Sequence, residues 1–206
     1  MGIMSRKYSV IVFDLGMVLL NFDYNIALER LENIEKGSGI NYLNHYRANY
    51  ETHRQFERGD IPEEEFLKRT MTVFNGRLDK ETFKRIYSEI FTVNENVVSL
   101  LPELKMKYRL VLLSNTNSIH REYGWKQYGF LRYFDKLILS HEVRAVKPEE
   151  AIYREVEKFT LLPAGEHIFI DDIKEYSEAA KRLGWDGIQF TGYDNLVKEL
   201  KERNII

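Results

Sequence analysis

The sequence contains no cysteine among its 206 residues. This absence excludes a disulfide framework, a zinc site built from thiolates and a cysteine nucleophile. An excess of charge is also missing, because 30 Lys and Arg residues stand against 32 Asp and Glu residues. Balanced charge gives no electrostatic reason to bind nucleic acid or an anionic membrane. We therefore expect neither of these among the partners of the protein.

Long apolar runs are absent as well. The run from Tyr8 to Phe13 is short and is interrupted by Asp14. The segment from Met1 to Lys7 lacks an apolar core followed by a small-residue cleavage site. Neither a signal peptide nor a membrane span fits these patterns. We expect a soluble, cytoplasmic protein, and the sequence leaves its oligomeric state open.

Short apolar runs alternate with amphipathic stretches at the start and in the second half of the chain. This alternation indicates an α/β fold, with a parallel sheet wound by right-handed crossovers. The predicted strands are Tyr8–Phe13, Arg109–Ser114, Lys136–Ser140, His167–Ile170 and Gly187–Phe190. The predicted helices between them are Val97–Lys107, Pro148–Phe159, Lys174–Leu183 and Tyr193–Arg203.

Residues 22–96 have a different character, being rich in charged and aromatic residues and without a convincing strand. Asp60, as an N-cap before Pro62 and three acidic residues, marks a helix start, and Asp79 opens another helix. Helical patterns at Asn25–Ile34 and Tyr42–Glu57 bring the total to about four helices.

The position of this helical block suggests a role. We predict a helical cap domain at 22–96 and an α/β core domain at 1–21 and 97–206. An insertion directly after the first strand lies above that strand's carboxyl end, where it is placed to act as a lid over Asp14. A helical decoration elsewhere on the surface is the alternative.

Asp14 is the first candidate functional residue, because it ends a run that reads as a buried parallel strand. Open α/β sheets bind ligands at the carboxyl ends of their strands, and a carboxylate there is costly unless a cation or strong donors meet it. Gly16 allows a tight turn or the close approach of a ligand. A plain turn or cap role for Asp14 is the alternative.

Three further strand ends carry polar groups. Ser114 and Asn115 have side chains that can bind anionic oxygens, although they also suit a turn. Lys147 precedes a helix, where its ammonium could pair with a carboxylate and a phosphoryl group, or remain solvated. Asp171 and Asp172 repel each other unless a cation lies between them, and oxygen ligands favour Mg²⁺, although acids also suit a helix N-terminus.

This order of an Asp, a Ser, a Lys and an acid pair at successive strand ends resembles the four motifs of the haloacid dehalogenase-like hydrolase superfamily. The resemblance covers the whole chain and implies a Rossmann-like core with a helical cap inserted after the first strand. Local segments resemble a bacterial branch that includes α-D-glucose-1-phosphate phosphatases. They are FDLGMVLLNFD, LLSNTN, KPEEAIY and FIDDIKEYSEAA.

The resemblance implies a Mg²⁺ cofactor and a metal site. Its ligands would be one oxygen of Asp14, the backbone carbonyl of Gly16 and the carboxylate of Asp172. Asp171 would be a further ligand or would accept a hydrogen bond from one. Waters and a phosphate oxygen would complete an octahedron.

The resemblance also implies phosphatase chemistry on a small phosphorylated metabolite, in particular a sugar phosphate. Asp14 would attack phosphorus and form an aspartyl-phosphate, which water would hydrolyse. Ser114, the backbone N–H of Asn115 and Lys147 would hold the phosphoryl oxygens. Lys147 would also orient Asp14.

Gly16 departs from the pattern, because most phosphatases of this superfamily carry a second acid there for proton transfer. A cap residue such as His45, His53 or a tyrosine could supply the proton, or the substrate could have a good leaving group, as an anomeric sugar phosphate has. Two other functions remain open. One is a metal-independent 2-haloacid dehalogenase, and the other is a catalytically weak metabolite-binding protein.

Overall fold

The structure, a computed structural model, describes residues 7–206. Residues 1–6 lie outside the described residues, and the expectation that no signal peptide is present concerns this segment. No helix within residues 7–206 has the length and hydropathy that a bilayer crossing requires.

The strands are β1 (Val10–Phe13), β2 (Leu20–Phe22), β3 (Phe91–Val93), β4 (Arg109–Ser114), β5 (Lys136–Leu139), β6 (His167–Asp171) and β7 (Asp186–Gln189). The α-helices are α1 (Tyr24–Ile34), α2 (Ser38–Ala48), α3 (Tyr50–Arg58), α4 (Glu63–Thr70), α5 (Lys80–Ser88), α6 (Glu95–Val98), α7 (Leu101–Lys107), α8 (Ser140–Val143), α9 (Glu150–Thr160), α10 (Lys174–Arg182) and α11 (Tyr193–Glu202).

The central sheet confirms the predicted α/β fold class. Its strands lie in the order β5, β4, β1, β6, β7, and every neighbouring pair is parallel. All five predicted strands are present, and no end differs from the prediction by more than two residues. The agreement is close because a strand buried on both faces is a nearly continuous apolar run. β1 is such a strand, since all four of its residues are fully buried.

The register of the sheet brings the strand ends together. Phe13, the last residue of β1, pairs with Leu112 on β4 and with Ile170 on β6. The residues that follow, Asp14 and Asp171, therefore lie at the same edge of neighbouring strands. Ser114 ends β4 at this edge as well.

Two of the predicted helices are divided in the structure. The range Val97–Lys107 contains the end of α6 and all of α7. Pro102 lies at the start of α7, where its missing N–H is tolerated, but it is not tolerated in the middle of one long helix. The range Tyr42–Glu57 is divided between α2 and α3 at Asn49, which leaves the helical conformation.

Two predicted helix starts are wrong by a few residues. Asp60 is not the N-cap of α4, because it completes the end of α3, where its N–H donates to the carbonyl of Gln55 at 2.8 Å. Helix α4 begins after Pro62. Pro148 is not the first residue of α9, because it lies within a turn that the N–H of Glu149 closes onto the carbonyl of Val146 at 2.8 Å.

The expectation of no strand in residues 22–96 is also wrong. β3 lies there and pairs antiparallel with β2, which ends at Phe22. Each strand has three residues, too few for an alternating pattern to stand out in the sequence. The two strands form a ribbon where the chain leaves the core and returns to it. The domain boundaries after residues 21 and 96 stay a prediction.

The apolar side chains form separate clusters on the sheet and among the inserted helices. One cluster lies on each face of the sheet. The third joins residues of α1 to α5 and includes Phe66, Phe83 and Tyr87. Because the inserted helices have a core of their own, they can present polar side chains toward the edge of the sheet. These helices and the sheet edge enclose a cavity of about 300 Å³.

Candidate active site

Asp14 lies at the floor of this cavity. It directly follows β1, its N–H donates to the carbonyl of Ile170 at 2.9 Å, and the residue is only 7% exposed. This hydrogen bond continues the pairing of β1 with β6 by one residue. The carboxylate is therefore fixed by the sheet and not by a flexible loop.

Lys147 joins the carboxylates of two strand ends. Its Nζ donates to Asp14 Oδ1 at 2.7 Å and to Asp171 Oδ2 at 2.6 Å, and the residue is 1% exposed. Asn115 holds its backbone on both sides, accepting from the Lys147 N–H at 2.8 Å and donating to its carbonyl at 3.1 Å. Asn115 follows β4, so this pair of hydrogen bonds links the Lys147 turn to the sheet.

Asp171 and Asp172 differ in what surrounds them. Asp171 uses both carboxylate oxygens within the protein, since Oδ2 accepts from Lys147 and Oδ1 accepts from the N–H of Ile173 at 2.8 Å. Asp172 instead lines the cavity. Carboxylate oxygens of Asp14, Asp171 and Asp172 lie within 4.8 Å of one another. Three hard oxygen donors at this separation suit a small divalent cation.

The electrostatics of this group favour a bound cation. Burial raises the pKa of Asp14, opposed by the Lys147 ammonium and assisted by Asp171. Burial also raises the pKa of Asp172, with Asp171 adding to the effect. Burial lowers the pKa of Lys147, but Asp14 and Asp171 outweigh it and leave the pKa raised. Three carboxyl groups thus share one buried ammonium, and a divalent cation would supply the missing positive charge.

Ser114 and Gly16 complete the part of the site that the sequence indicated. Ser114 is buried and lines the cavity beside Asn115. Gly16 lines it too, and a β-carbon built on Gly16 would lie 3.1 Å from Cε1 of Phe22. The Phe22 ring therefore borders the space that a side chain at Gly16 would enter. No carboxylate approaches from this position.

The histidines considered as proton donors lie in different places. His53 lines the cavity, but burial lowers its pKa to about 4, so the imidazole is neutral near pH 7. Its Nδ1 lies 3.2 Å from the hydroxyl of Tyr87. His45 lies in a smaller neighbouring depression and does not line this cavity.

Two buried nitrogens of the cavity wall lack partners. Nε2 of His120 and Nε1 of Trp125 have no hydrogen-bond partner among residues 7–206. Burial lowers the pKa of His120 to about 3, and the Asn117 amide lies 3.3 Å from its Nδ1, which leaves the proton on Nε2. The wall therefore contains two buried N–H donors that no group within residues 7–206 satisfies.

Sequence reasoning missed several residues of the wall. Arg54 and Glu57 reach the cavity from α3, and Tyr176 reaches it from α10. His120 and Trp125 come from a short π-helix at His120–Trp125. The three-residue spacing of Arg54 and Glu57 does place them on one helix face, but many solvated helices share that spacing. Only the position of α3 over the sheet distinguishes these two residues.

The chain is similar to two phosphatases and to a solved haloacid dehalogenase family enzyme. D-ribitol-5-phosphate phosphatase of Bacteroides thetaiotaomicron is 25% identical over 186 residues, covering 87% of this chain and 90% of that enzyme. Phosphorylated carbohydrates phosphatase of Thermotoga maritima is 26% identical over 187 residues, covering 86% and 82%. A haloacid dehalogenase family enzyme of B. thetaiotaomicron, solved with magnesium and inorganic phosphate, aligns with a TM-score of 0.74 at 26% identity, covering 88% of this chain and 93% of that one.

The resemblance noted at the four motifs is confirmed at the level of the superfamily, whereas the narrower resemblance to glucose-1-phosphate phosphatases stays a prediction. Residues 11–192, which include every strand end described above, match one family along their whole length. The chain therefore belongs to the haloacid dehalogenase-like hydrolases.

Proposed function

We propose that the protein is a Mg²⁺-dependent phosphatase that hydrolyses a small phosphorylated carbohydrate through an aspartyl-phosphate on Asp14. The observation that carries the proposal is the cluster of Asp14, Asp171 and Asp172 around the buried Lys147 ammonium. A nucleophilic carboxylate, a metal site and a fixed cation beside it are the components that phosphoryl transfer requires.

The residues present fit the metal. Asp14, Asp172 and the backbone carbonyl of Gly16 would hold it, since all three residues line the cavity. Asp171 would support the metal site by holding Lys147 and would not contact the metal directly, because its two oxygens accept hydrogen bonds from Lys147 and from the Ile173 N–H. When bound, Mg²⁺ supplies positive charge that offsets the repulsion between the carboxylates and the phosphate.

The protein's own side chains perform the remaining steps. Asp14 attacks phosphorus, and the strand end and Lys147 hold it in position for this attack. Lys147 also neutralises charge on the phosphoryl oxygens, assisted by Ser114 and by the backbone N–H of Asn115.

The cavity supports a carbohydrate as the rest of the substrate. Its volume of about 300 Å³ suits a small metabolite. Its wall carries the side chains of Tyr24, Tyr46 and Tyr50, and the buried N–H groups of His120 and Trp125 lie in the same wall without partners. Such groups pair with the several hydroxyls of a sugar or an alditol. The two similar phosphatases act, by their names, on phosphorylated carbohydrates.

Removal of the metal is the first test. We expect phosphate release from a panel of sugar and alditol phosphates to fall by at least about 10³-fold in excess EDTA, because several kcal/mol of charge stabilisation are lost. Added Mg²⁺ should restore the rate. Asp172→Asn should raise the Mg²⁺ concentration needed for half-maximal rate, whereas Asp194→Asn, an exposed aspartate on α11, should leave it unchanged.

Three results would contradict the proposal. Halide release from 2-haloacids without metal would identify a dehalogenase. Thermal stabilisation by the sugar phosphates without any turnover would identify a binding protein. Phosphate release that EDTA leaves unchanged would exclude the metal-dependent mechanism.

A further inference from the structure

We propose that Glu57 is the general acid and general base of the reaction, replacing the carboxylate that is absent at Gly16. The inference rests on the proposed phosphatase function and adds a residue that lies outside the four motifs. It assigns the proton transfer to the cap helix α3 instead of the loop after β1.

Glu57 is held in place over the sheet edge. It lines the same cavity as Asp14, but it enters from α3 and not from the sheet. The Ser140 hydroxyl on α8 donates to the Glu57 carbonyl at 2.6 Å. Two residues further, Gly59 ends α3 with a φ of 82° and lies so close to the His141 backbone that a β-carbon would collide with it. The last turn of α3 is therefore fixed against the core.

The Glu57 carboxylate is free to contact a substrate. The side chain is 18% exposed, and it accepts no hydrogen bond from residues 7–206. Its ion-pair contact, from Oε2 to Nη1 of Arg54, is long at 4.0 Å. By contrast, Glu149 and Glu63 make close hydrogen bonds to other side chains. A half-buried carboxylate without a bound donor is costly unless a ligand meets it or a proton neutralises it.

The surroundings of Glu57 make it a suitable proton donor. Burial raises its pKa, and the opposing effects of Arg54 and Lys147 do not cancel the rise. A raised pKa keeps a larger fraction of the group protonated near neutral pH, as a general acid requires. The other titratable groups that sense its charge are tyrosines whose own pKa values are raised, so they remain neutral: Tyr24 on α1, Tyr46 on α2, Tyr87 on α5 and Tyr176 on α10.

The other groups of the wall are less suited to this role. His53 and His120 have pKa values lowered to about 4 and about 3, so neither carries a proton to give as an imidazolium. Arg54 does not release its proton in proteins. Among the described residues that line the cavity, the carboxyl groups are those of Asp14, Asp172 and Glu57. Asp14 and Asp172 are assigned to attack and to the metal, which leaves Glu57 as the carboxyl group available for proton transfer.

One carboxyl group is enough for the proton transfers of both steps, which are phosphoryl transfer to Asp14 and hydrolysis of the aspartyl-phosphate. Asp14 forms a bond to phosphorus, the bond from phosphorus to the leaving oxygen breaks, and that oxygen takes the proton of Glu57. The Glu57 carboxylate then takes a proton from a water molecule, whose oxygen attacks phosphorus and releases Asp14. The leaving oxygen and the water occupy the same side of phosphorus in turn, opposite Asp14. Glu57 ends as it began, and the products are an alcohol and phosphate.

The test compares leaving groups. Glu57→Gln should lower kcat/KM, which reports the first step alone, by about 10²–10⁴-fold for ribitol 5-phosphate, an alkyl ester, because an alkoxide needs a proton to leave. The same variant should lose less than about tenfold in kcat/KM with p-nitrophenyl phosphate, because nitrophenolate leaves without a proton. The aryl ester also verifies that the variant is folded. The matched control is Glu51→Gln, an exposed glutamate on α3, which should match the wild type with both esters.

The pH profile gives a second readout. The first step needs protonated Glu57, so wild-type kcat/KM for the alkyl ester should fall as pH rises through the raised pKa of this group. That decline should be absent in Glu57→Gln. A positional or purely structural role would lower kcat/KM for both esters together and leave the shape of the profile unchanged.

Several results would overturn the proposal while leaving the phosphatase function intact. These are equal losses of kcat/KM with both esters, or a raised KM with unchanged kcat. A series of aryl and alkyl phosphates measured on the wild type alone provides a test if the variant does not fold. Intact acid catalysis should give a shallow dependence of rate on leaving-group pKa, and a steep one contradicts it. A wild type that releases no phosphate from any ester overturns both proposals.

Discussion

Asp14→Asn should lower the rate of phosphate release by about 10⁴-fold or more, because an amide oxygen does not form the acyl-phosphate bond that the mechanism requires. The protein should remain folded. The Asn oxygen still accepts the hydrogen bond that Lys147 donates at 2.7 Å in the wild type, and one source of repulsion with Asp171 is removed. The loss should therefore lie in kcat and not in the amount of folded protein.

Steady-state phosphate release, measured beside a thermal melt of the same sample, checks this expectation. Asp194→Asn is the control, because it makes the same chemical change at an exposed position of α11. A variant at Asp14 that keeps more than about a tenth of the wild-type rate would show that another group attacks phosphorus.

Lys147→Met should lower both stability and activity. The substitution keeps a long side chain but leaves Asp14 and Asp171 buried without their shared cation. Breaking a buried ion pair from one side costs about 3–5 kcal/mol, since the remaining charge is uncompensated. We expect a loss of this size in the free energy of unfolding without Mg²⁺. We also expect a fall in kcat of at least about 10²-fold, because a charge on the phosphoryl oxygens is lost.

Urea denaturation at pH 7 measures the stability effect. Lys174→Met is the control, because this lysine lies three residues after Asp171, the last residue of β6, but its side chain is 70% exposed. Adding Asp14→Asn to Lys147→Met should recover part of the lost stability, since one of the two uncompensated carboxylates disappears. If Lys147→Met costs less than about 1 kcal/mol, the ammonium does not hold the carboxylates as the geometry indicates.

The core of the fold and the floor of the site were predictable from the sequence because both follow from buried parallel strands. β4 matches its predicted range of Arg109–Ser114 residue for residue, since a buried strand is an unbroken apolar run. Parallel strands also end at one edge, so polar residues after several runs have to meet there. Asp14 and Asp171 do so, and Lys147 joins them from a loop.

The wall of the site was not predictable, because it depends on how the inserted helices lie over the sheet. In the sequence Glu57 resembles an ordinary solvated glutamate, and Lys147, whose charge lowers the pKa of Glu57 in the fold, is distant along the chain. The ribbon of β2 and β3 escaped prediction because short strands carry little periodic signal. The end of α3 was missed at Asp60, where the backbone hydrogen bond to Gln55 decides the helix boundary.

The central claim is that Asp14 becomes phosphorylated during turnover, and chemical trapping tests it most directly. The enzyme would be mixed with substrate and Mg²⁺, quenched in acid, reduced with borohydride and digested for mass spectrometry. We expect homoserine in place of Asp14, formed only when substrate and Mg²⁺ are both present and never in Asp14→Asn. Two results would contradict the account. One is an unmodified Asp14 under conditions where the phosphoenzyme accumulates, and the other is a reduced residue at another carboxylate.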